Sequence, residues 1–262
     1  MSYLKRDGLS LYYEQEGNGD PSLMFIHGWC CNHAFFQPQF DYFKTAHRVT
    51  TLDLRGCGNS DVLDGGYDIP TLADDIAWLC RELQLSKPII VGHSLGGMIA
   101  IELAARYPSL PRAVVADDPG AIDPLPSATR MYEGLVTQLE GPDGDMVRRA
   151  YIEQMLLTNN DAIQKRWIIE TMCSVPRRIA TAVLRGVVAW NGIGAIQLCN
   201  LPLLVLRANT GGSNAPDRLL ALKPDIHIGV TVGAGHFHQL ESPEQVTPMI
   251  EKFIQLVMKT ST

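Results

Sequence analysis

The chain has no apolar run approaching the roughly 18–20 residues that a membrane span requires, and it has no excess of lysine and arginine. Its net charge of −6 leaves no basic footprint for nucleic acid or an anionic membrane surface. It has no C-x-x-C. The six cysteines fall at 30, 31, 57, 80, 173 and 199, and only the adjacent pair Cys30-Cys31 is close in sequence. That is not a metal-type spacing, and reduced thiols of a cytosolic protein are expected. The opening residues, Met-Ser-Tyr-Leu-Lys-Arg-Asp-Gly, lack the apolar core of a signal peptide, so the expected location is the cytoplasm. No internal repeat or low-complexity tract is present.

What is there suffices for one α/β domain with an insertion. The 262 residues, 46% hydrophobic and 19% charged, can bury a sizeable core. Strand signals occur at 9–14, 23–26, 48–54, 89–91, 113–116, 203–206 and 227–232. Helical signals occur at 34–43, at 71–83 with Thr71 as its cap, directly after Ser94, at 215–222 and at 243–258. Such alternation predicts a mostly parallel sheet covered by helices on both faces. Between 121 and 196 the strand signals stop. Helical stretches carry Met131, Leu135, Met146, Tyr151, Met155, Trp167, Met172 and Trp190 instead. This segment is expected to be a helical lid between two parts of the core, 1–120 and 197–262. Most of these large side chains would form the lid's own core. Some would roof an apolar pocket, and Trp167 and Trp190 are taken as candidates for substrate contact.

The chain is organised around Gly92-His93-Ser94-Leu95-Gly96, a G-x-S-x-G between the β-branched run at 89–91 and an apolar helix. A serine there must turn sharply, and the flanking glycines leave room where side chains would collide. Its hydroxyl is then presented at a helix N-terminus, where free N–H groups favour developing negative charge. A plain glycine-rich strand-to-helix turn is the bland alternative. In an open parallel sheet, sites lie at the carboxyl ends of the strands. His27-Gly28-Trp29, Ser94, Asp117-Asp118 and His236 all fall just after predicted strands.

These motifs resemble the α/β-hydrolase superfamily, in its lidded branch of esterases, lactonases, haloalkane dehalogenases and cofactor-independent oxygenases. The resemblance spans nearly the whole chain. It rests on His-Gly-Trp at 27–29, Asp-Leu-Arg-Gly-x-Gly-x-Ser at 53–60, Gly-His-Ser-Leu-Gly-Gly at 92–97 and Gly-Ala-Gly-His at 233–236. A serine at 94, not an aspartate, argues against the dehalogenases. The resemblance implies an α/β-hydrolase fold with Ser94 as nucleophile and His236 as its base. The backbone N–H groups of Trp29 and Leu95 would form the oxyanion hole.

Among the other histidines, His93 is expected to pack under the turn and His27 to order its loop. His33 either lines the pocket or lies on a surface loop. A metal pair at His236 and His238 lacks the further ligands such a site needs. The third triad member is less regular. Many members carry their acid a few residues past the strand that follows the lid. Here 203–214 holds no carboxylate, Thr210 stands about where the aspartate would be, and the next acid, Asp217, falls in the following helix. Another branch places the acid after the strand next to the nucleophile helix. That strand ends Ala116-Asp117-Asp118-Pro119. Alternation lets only one of the two aspartates face the histidine. Counting from Tyr107-Pro108 favours Asp118, with Asp117 as second choice. Both could instead be turn residues before Pro119.

Three functions fit these residues. The first is a serine hydrolase of a small ester or lactone. The second is a cofactor-independent 3-hydroxy-4-quinolone dioxygenase using a His236–Asp118 dyad. The third is a non-catalytic receptor for a small molecule on the same scaffold. Each calls for a small-molecule ligand and none for a cofactor or metal. Neither nucleic acid nor membrane is an expected partner, and no oligomeric state is assigned.

Overall fold

The runs at Leu23–Ile26, Ile89–His93 and Ala113–Asp117 are buried at every position. Strands covered on both faces must be apolar throughout rather than alternating. The computed structural model describes residues 2–156, 161–208 and 214–260, and in it these runs form the centre of the sheet. Among the described residues the sheet has eight strands: β1 (Ser2–Arg6), β2 (Leu9–Glu16), β3 (Leu23–Ile26), β4 (Val49–Leu52), β5 (Ile89–His93), β6 (Ala113–Asp117), β7 (Leu203–Arg207) and β8 (His227–Val230). Their order is β1-β2-β4-β3-β5-β6-β7-β8. β2 pairs antiparallel with β1 and β4, and every other pairing is parallel. This is an α/β-hydrolase fold, as the motifs implied. The edge strand β1 carries no apolar run, because most of it is exposed, and for that reason hydrophobic patterning misses it.

The helices are α1 (Gln37–Phe43), α2 (Ile69–Glu82), α3 (Leu95–Arg106), α4 (Pro126–Glu140), α5 (Gly144–Gln154), α6 (Ala162–Ser174), α7 (Arg177–Ala189), α8 (Gly192–Leu198), α9 (Pro216–Leu222), α10 (His238–Glu241) and α11 (Pro243–Thr260). One face of the sheet packs Leu23, Phe25, Ile89 and Val91 against Phe40 and Phe43 of α1 and Ile250 and Phe253 of α11. The other packs Met24, Ile26, Ile90 and Val114 against α2, α3 and the helices between β6 and β7. Leu203 and Val205 of β7 lie on this second face, Leu204 and Leu206 on the first. The segment expected as a lid is helical, from α4 to α8. Its last helix, α8, packs on α3 beside the sheet and so adds to the core layer. None of the described helices is alone long and apolar enough to cross a membrane.

Local chemistry sets the helix starts. α2 begins two residues before the expected cap. Asp68 is the N-cap, accepting the Thr71 N–H at 2.9 Å, and Thr71 lies inside the helix. An aspartate here takes an orphan donor of the first turn. Pro38 sits in the first turn of α1, where its missing N–H breaks no helical hydrogen bond. A 3-10 turn at His33–Phe36 precedes it.

The loop carrying the Asp-Leu-Arg-Gly motif is pinned to α2 by a buried ion pair. Arg55 Nε donates to Asp75 Oδ2 at 2.6 Å, and the same guanidinium donates to Oδ1 at 2.7 Å. Asp75→Ala would leave that guanidinium without its counter-charge and should destabilise the fold by about 3–5 kcal/mol. Asp74→Ala removes the adjacent but exposed partner of Arg106 and should cost about 1 kcal/mol or less. Urea unfolding of both variants checks the contrast. Equal losses would mean that the buried pair does not anchor the loop.

Candidate active site

β5 enters α3 through Ser94, whose backbone sits at φ 55° and ψ −114°. A residue with a side chain resists that region, at a cost of roughly 1–3 kcal/mol. The surroundings enforce it. The Ser94 N–H donates to Asp117 O at 2.9 Å, and its carbonyl accepts from Gly97, Met98 and Gly120. The strand and helix approach so closely that a Cβ on Gly92 would lie 2.0 Å from Gly96 O, and one on Gly96 would lie 2.1 Å from Ile26 O. Only glycine fits at either position.

On this turn the Ser94 hydroxyl lies 3.0 Å from His236 Nε2, and His236 Nδ1 lies 2.6 Å from Asp118 Oδ2. With Asp118 ionised, Nδ1 carries the ring proton and donates to it. Nε2 is left to accept from the serine. The Ala208 N–H donates to the other Asp118 oxygen at 3.0 Å. Burial alone would raise the Asp118 pKa, but the His236 hydrogen bond and charge and the Ala208 N–H outweigh it and hold the carboxyl at about 2. Asp118 itself adopts φ 41°, a left-handed conformation that aspartate tolerates better than most residues.

The second aspartate is engaged elsewhere. Asp117 is fully buried, and its Oδ1 lies 2.6 Å from His238 Nε2, off the hydrogen-bonding direction but at ion-pair distance. His238 Nδ1 meets Thr231 Oγ1 at 3.0 Å. The two adjacent aspartates thus take two histidines, Asp118 with His236 and Asp117 with His238. His236 and His238 turn to different carboxylates and do not converge. Thr210 lies outside the described residues, and Asp217 sits in the first turn of α9.

His93 lies under the turn, with Nε2 at 2.7 Å from His236 O. Burial and the neighbouring His236 push its pKa well down, so it stays neutral. His27 orders its loop, with Nδ1 donating to Gly28 O at 2.8 Å and Nε2 accepting the Leu54 N–H at 2.9 Å. Trp29 and Leu95 border the same cavity as Ser94. Among the described residues neither of their backbone N–H groups reaches an acceptor. The Trp29 indole N–H donates to Ala180 O of α7 at 2.8 Å, which ties its loop to the inserted helices.

The cavity holds about 480 Å³. Ser94, Asp118 and His236 lie on its wall with Trp29 and Leu95, and Met131, Tyr151, Met155 and Met172 of the insertion face them.

Three expected contacts are not there. The His33 ring turns away to Asp53, with Nδ1 2.8 Å from Oδ1, because that buried carboxylate lies beneath the turn that His33 opens. The Trp167 ring packs tilted on Phe35, with centroids 4.7 Å apart. The Trp190 indole N–H donates to Glu102 of α3 at 2.8 Å. Each aromatic body is used up in joining the insertion to the core. Met146 is largely exposed. Sequence reasoning missed Tyr132, Gln154 and Arg207 on the cavity wall. The strand-end rule that pointed to Ser94 and Asp118 would have found Arg207, the last residue of β7.

The comparisons with known proteins agree with this architecture. Residues 21–146 match the profile of the alpha/beta hydrolase fold family. The 2-(acetamidomethylene)succinate hydrolase of Mesorhizobium japonicum is 30% identical over 94% of this chain and 92% of its own length. The chain belongs to the α/β-hydrolase family. Among solved structures, this α/β-hydrolase chain is similar to the enol-lactonase from Burkholderia xenovorans, with a TM-score of 0.86 and 18% identity over 97% of this chain and 100% of that one. It is also similar to a thermophilic esterase from Thermogutta terrifontis, with a TM-score of 0.85 and 24% identity over 98% of this chain and 99% of that one.

The buried Asp117–His238 pair gives this α/β-hydrolase chain a pH signature. Burial disfavours protonation of His238, but Asp117, with help from Asp118 and Glu241, outweighs it and raises the pKa above the usual value. A raised histidine contributes fully below the unfolded value near 6.5 and loses its contribution as the pH climbs through the folded one. His33 is raised in the same sense by Asp53. Relative to His238→Gln, the wild-type urea midpoint should therefore fall between pH 6 and pH 8, since the buried neutral His27 and His93, which act in the opposite sense, are common to both proteins. An unchanged slope in the variant would show that the pair does not titrate with folding.

Proposed function

We propose that the protein is a serine hydrolase that opens a carboxylic ester or lactone through an acyl-enzyme. The observation that carries this reading is the continuous chain Ser94 Oγ, His236, Asp118, with separations of 3.0 and 2.6 Å, at the wall of a half-enclosed cavity. The relative named as a succinate-derivative hydrolase, and the likeness to a lactonase and an esterase, support the same class.

In this mechanism His236 Nε2 takes the Ser94 proton as Oγ bonds to the substrate carbonyl carbon. The carbonyl π electrons move onto its oxygen, and the N–H groups of Trp29 and Leu95 receive that oxyanion. Preorganised donors of this kind typically supply roughly 3–4 kcal/mol each to the transition state. Collapse breaks the ester C–O bond, and the leaving oxygen takes the proton from His236. Water then repeats the sequence on the acyl group and regenerates Ser94. Asp118 fixes the histidine tautomer and stabilises the imidazolium; it gains no proton. In a lactone the leaving oxygen stays tethered to the acyl group, so water must reach the acyl-enzyme before the ring recloses.

Ser94→Ala should abolish turnover of p-nitrophenyl butyrate and labelling by a fluorophosphonate, with the circular dichroism spectrum unchanged. Asp118→Asn should lower kcat on the order of 10⁴-fold with little change in KM, as expected for a mis-set histidine tautomer. Asp117→Asn should leave kcat much closer to wild type. Near-normal turnover by folded Ser94→Ala would overturn the reading. Oxygen uptake with a 3-hydroxy-4-quinolone that survives Ser94→Ala and dies in His236→Ala would favour the dioxygenase instead.

A further inference from the structure

Arg207 closes β7, on the same face of that strand as Leu203 and Val205, and it borders the cavity that holds Ser94 and His236. Its place in the sheet is set by the triad acid. The Asp118 N–H donates to Leu206 O, and the Ala208 N–H donates to the Asp118 carboxylate, so Arg207 sits between the two residues that hold Asp118. Its own backbone carbonyl is taken by the Thr231 N–H and hydroxyl.

Its guanidinium, by contrast, has no partner among the described residues. Among the described residues no carboxylate, carbonyl or aromatic face engages it. That sets it apart from three arginines held by carboxylates. Arg55 is held by Asp75, Arg148 by Asp145 and Arg218 by Asp123. A guanidinium keeps its charge at every working pH and presents a planar fork of donors matched to a carboxylate. Placed on the half-enclosed wall of a cavity with an apolar roof, it keeps that fork available to whatever enters. Its positive charge also opposes, locally, a chain of net charge −6.

We propose that Arg207 is the recognition point for a free carboxylate on the substrate. The preferred substrate is then an ester or lactone whose acyl part carries an acid group, such as a half-ester of a short dicarboxylic acid. The substrate class rests on the serine-hydrolase reading above; the anion site does not. β6 lies between β5 and β7, so two strand spacings, about 10 Å, separate the backbone of Arg207 from that of Ser94. A carboxylate held above the end of β7 and a carbonyl held at Ser94 are therefore about that far apart, a span that a short carbon chain covers. Binding the far end this way holds the carbonyl against Ser94 and makes the acid group a requirement for efficient turnover.

The test compares the monophenyl esters of glutaric and adipic acid with phenyl pentanoate and phenyl hexanoate, their uncharged counterparts. Phenol release by wild type should give a higher kcat/KM for at least one half-ester than for its counterpart. In Arg207→Met that ratio should fall on the order of 10- to 100-fold, mainly through KM, the range of a charge-assisted hydrogen bond lost from a site. Arg207→Lys should restore part of it. A ratio unchanged in Arg207→Met, or a wild type without the preference, would overturn the proposal. Binding of glutarate and adipate by calorimetry separates the two readings. If wild type cleaves neither these esters nor p-nitrophenyl butyrate, the hydrolase reading fails. The arginine site then stands if either dianion binds wild type and not Arg207→Met, and falls if neither binds or if binding survives the substitution.

Discussion

The backbone of Ser94, at φ 55° and ψ −114°, is a conformation the chain would leave if released. Sheet and helix together deny it the room. Strand β5 is held on one side by β3 and on the other by β6. α3 starts so near that glycine is required at 92 and 96. The strain is thus balanced by burial of the most apolar strands in the molecule. In return the hydroxyl projects from the turn with a helix N-terminus directly behind it. The same proximity leaves the Leu95 N–H without a helical acceptor, because the first N–H groups of a helix have none.

That turn is cross-tied to its neighbours at adjacent residues. The Ser94 N–H goes to the Asp117 carbonyl, the Asp118 carboxylate goes to His236, and His93 goes to the His236 carbonyl. The Asp117 side chain meanwhile takes His238, two residues beyond His236. The loop between β8 and α10 is therefore held at both histidines by consecutive residues of one strand end. One pair faces the cavity and the other is sealed in the core. The outward pair is placed for proton transfer, and the sealed pair holds the loop that presents it.

The inserted helices meet the catalytic layer through large side chains with polar tips. Trp29 reaches α7, Trp190 of the insertion reaches α3, and Trp167 packs on Phe35. An indole buries a wide apolar surface while its one N–H needs an acceptor, so these rings act as anchors. The cavity roof falls to methionines and tyrosines, which fill irregular space and tolerate occupants of different shape. Burial raises the phenol pKa of both Tyr132 and Tyr151, so they face the cavity as neutral hydroxyls. Arg207 then adds a fixed cation to a wall whose one carboxylate among the described residues, Asp118, is already engaged by His236 and the Ala208 N–H.

The sequence determined by itself the features that depend on local pattern. Unbroken β-branched runs gave away the buried parallel strands, and glycines at fixed offsets around Ser94 gave away the turn. Polar residues just past strand ends marked His27, Trp29, Asp118 and His236 as lying on one rim. Only the tertiary structure decided how side chains were shared out. Counting from Tyr107-Pro108 favours Asp118 over Asp117, but it does not show the division of roles, which depends on a left-handed residue at the end of β6 and on which histidine each carboxylate meets. Nor does a tryptophan in a helix reveal whether it lines a cavity or joins two layers, because both uses bury the same ring. His33 reads equally as a pocket or a surface-loop residue, and its pairing with Asp53, twenty positions away, emerges only in the fold. Arg207 lies just past the strand signal at 203–206, which does not single it out, and its lack of a partner among the described residues is visible only in the fold. Pairing is a property of the whole fold, since it depends on which groups the packing brings within reach and which it leaves over.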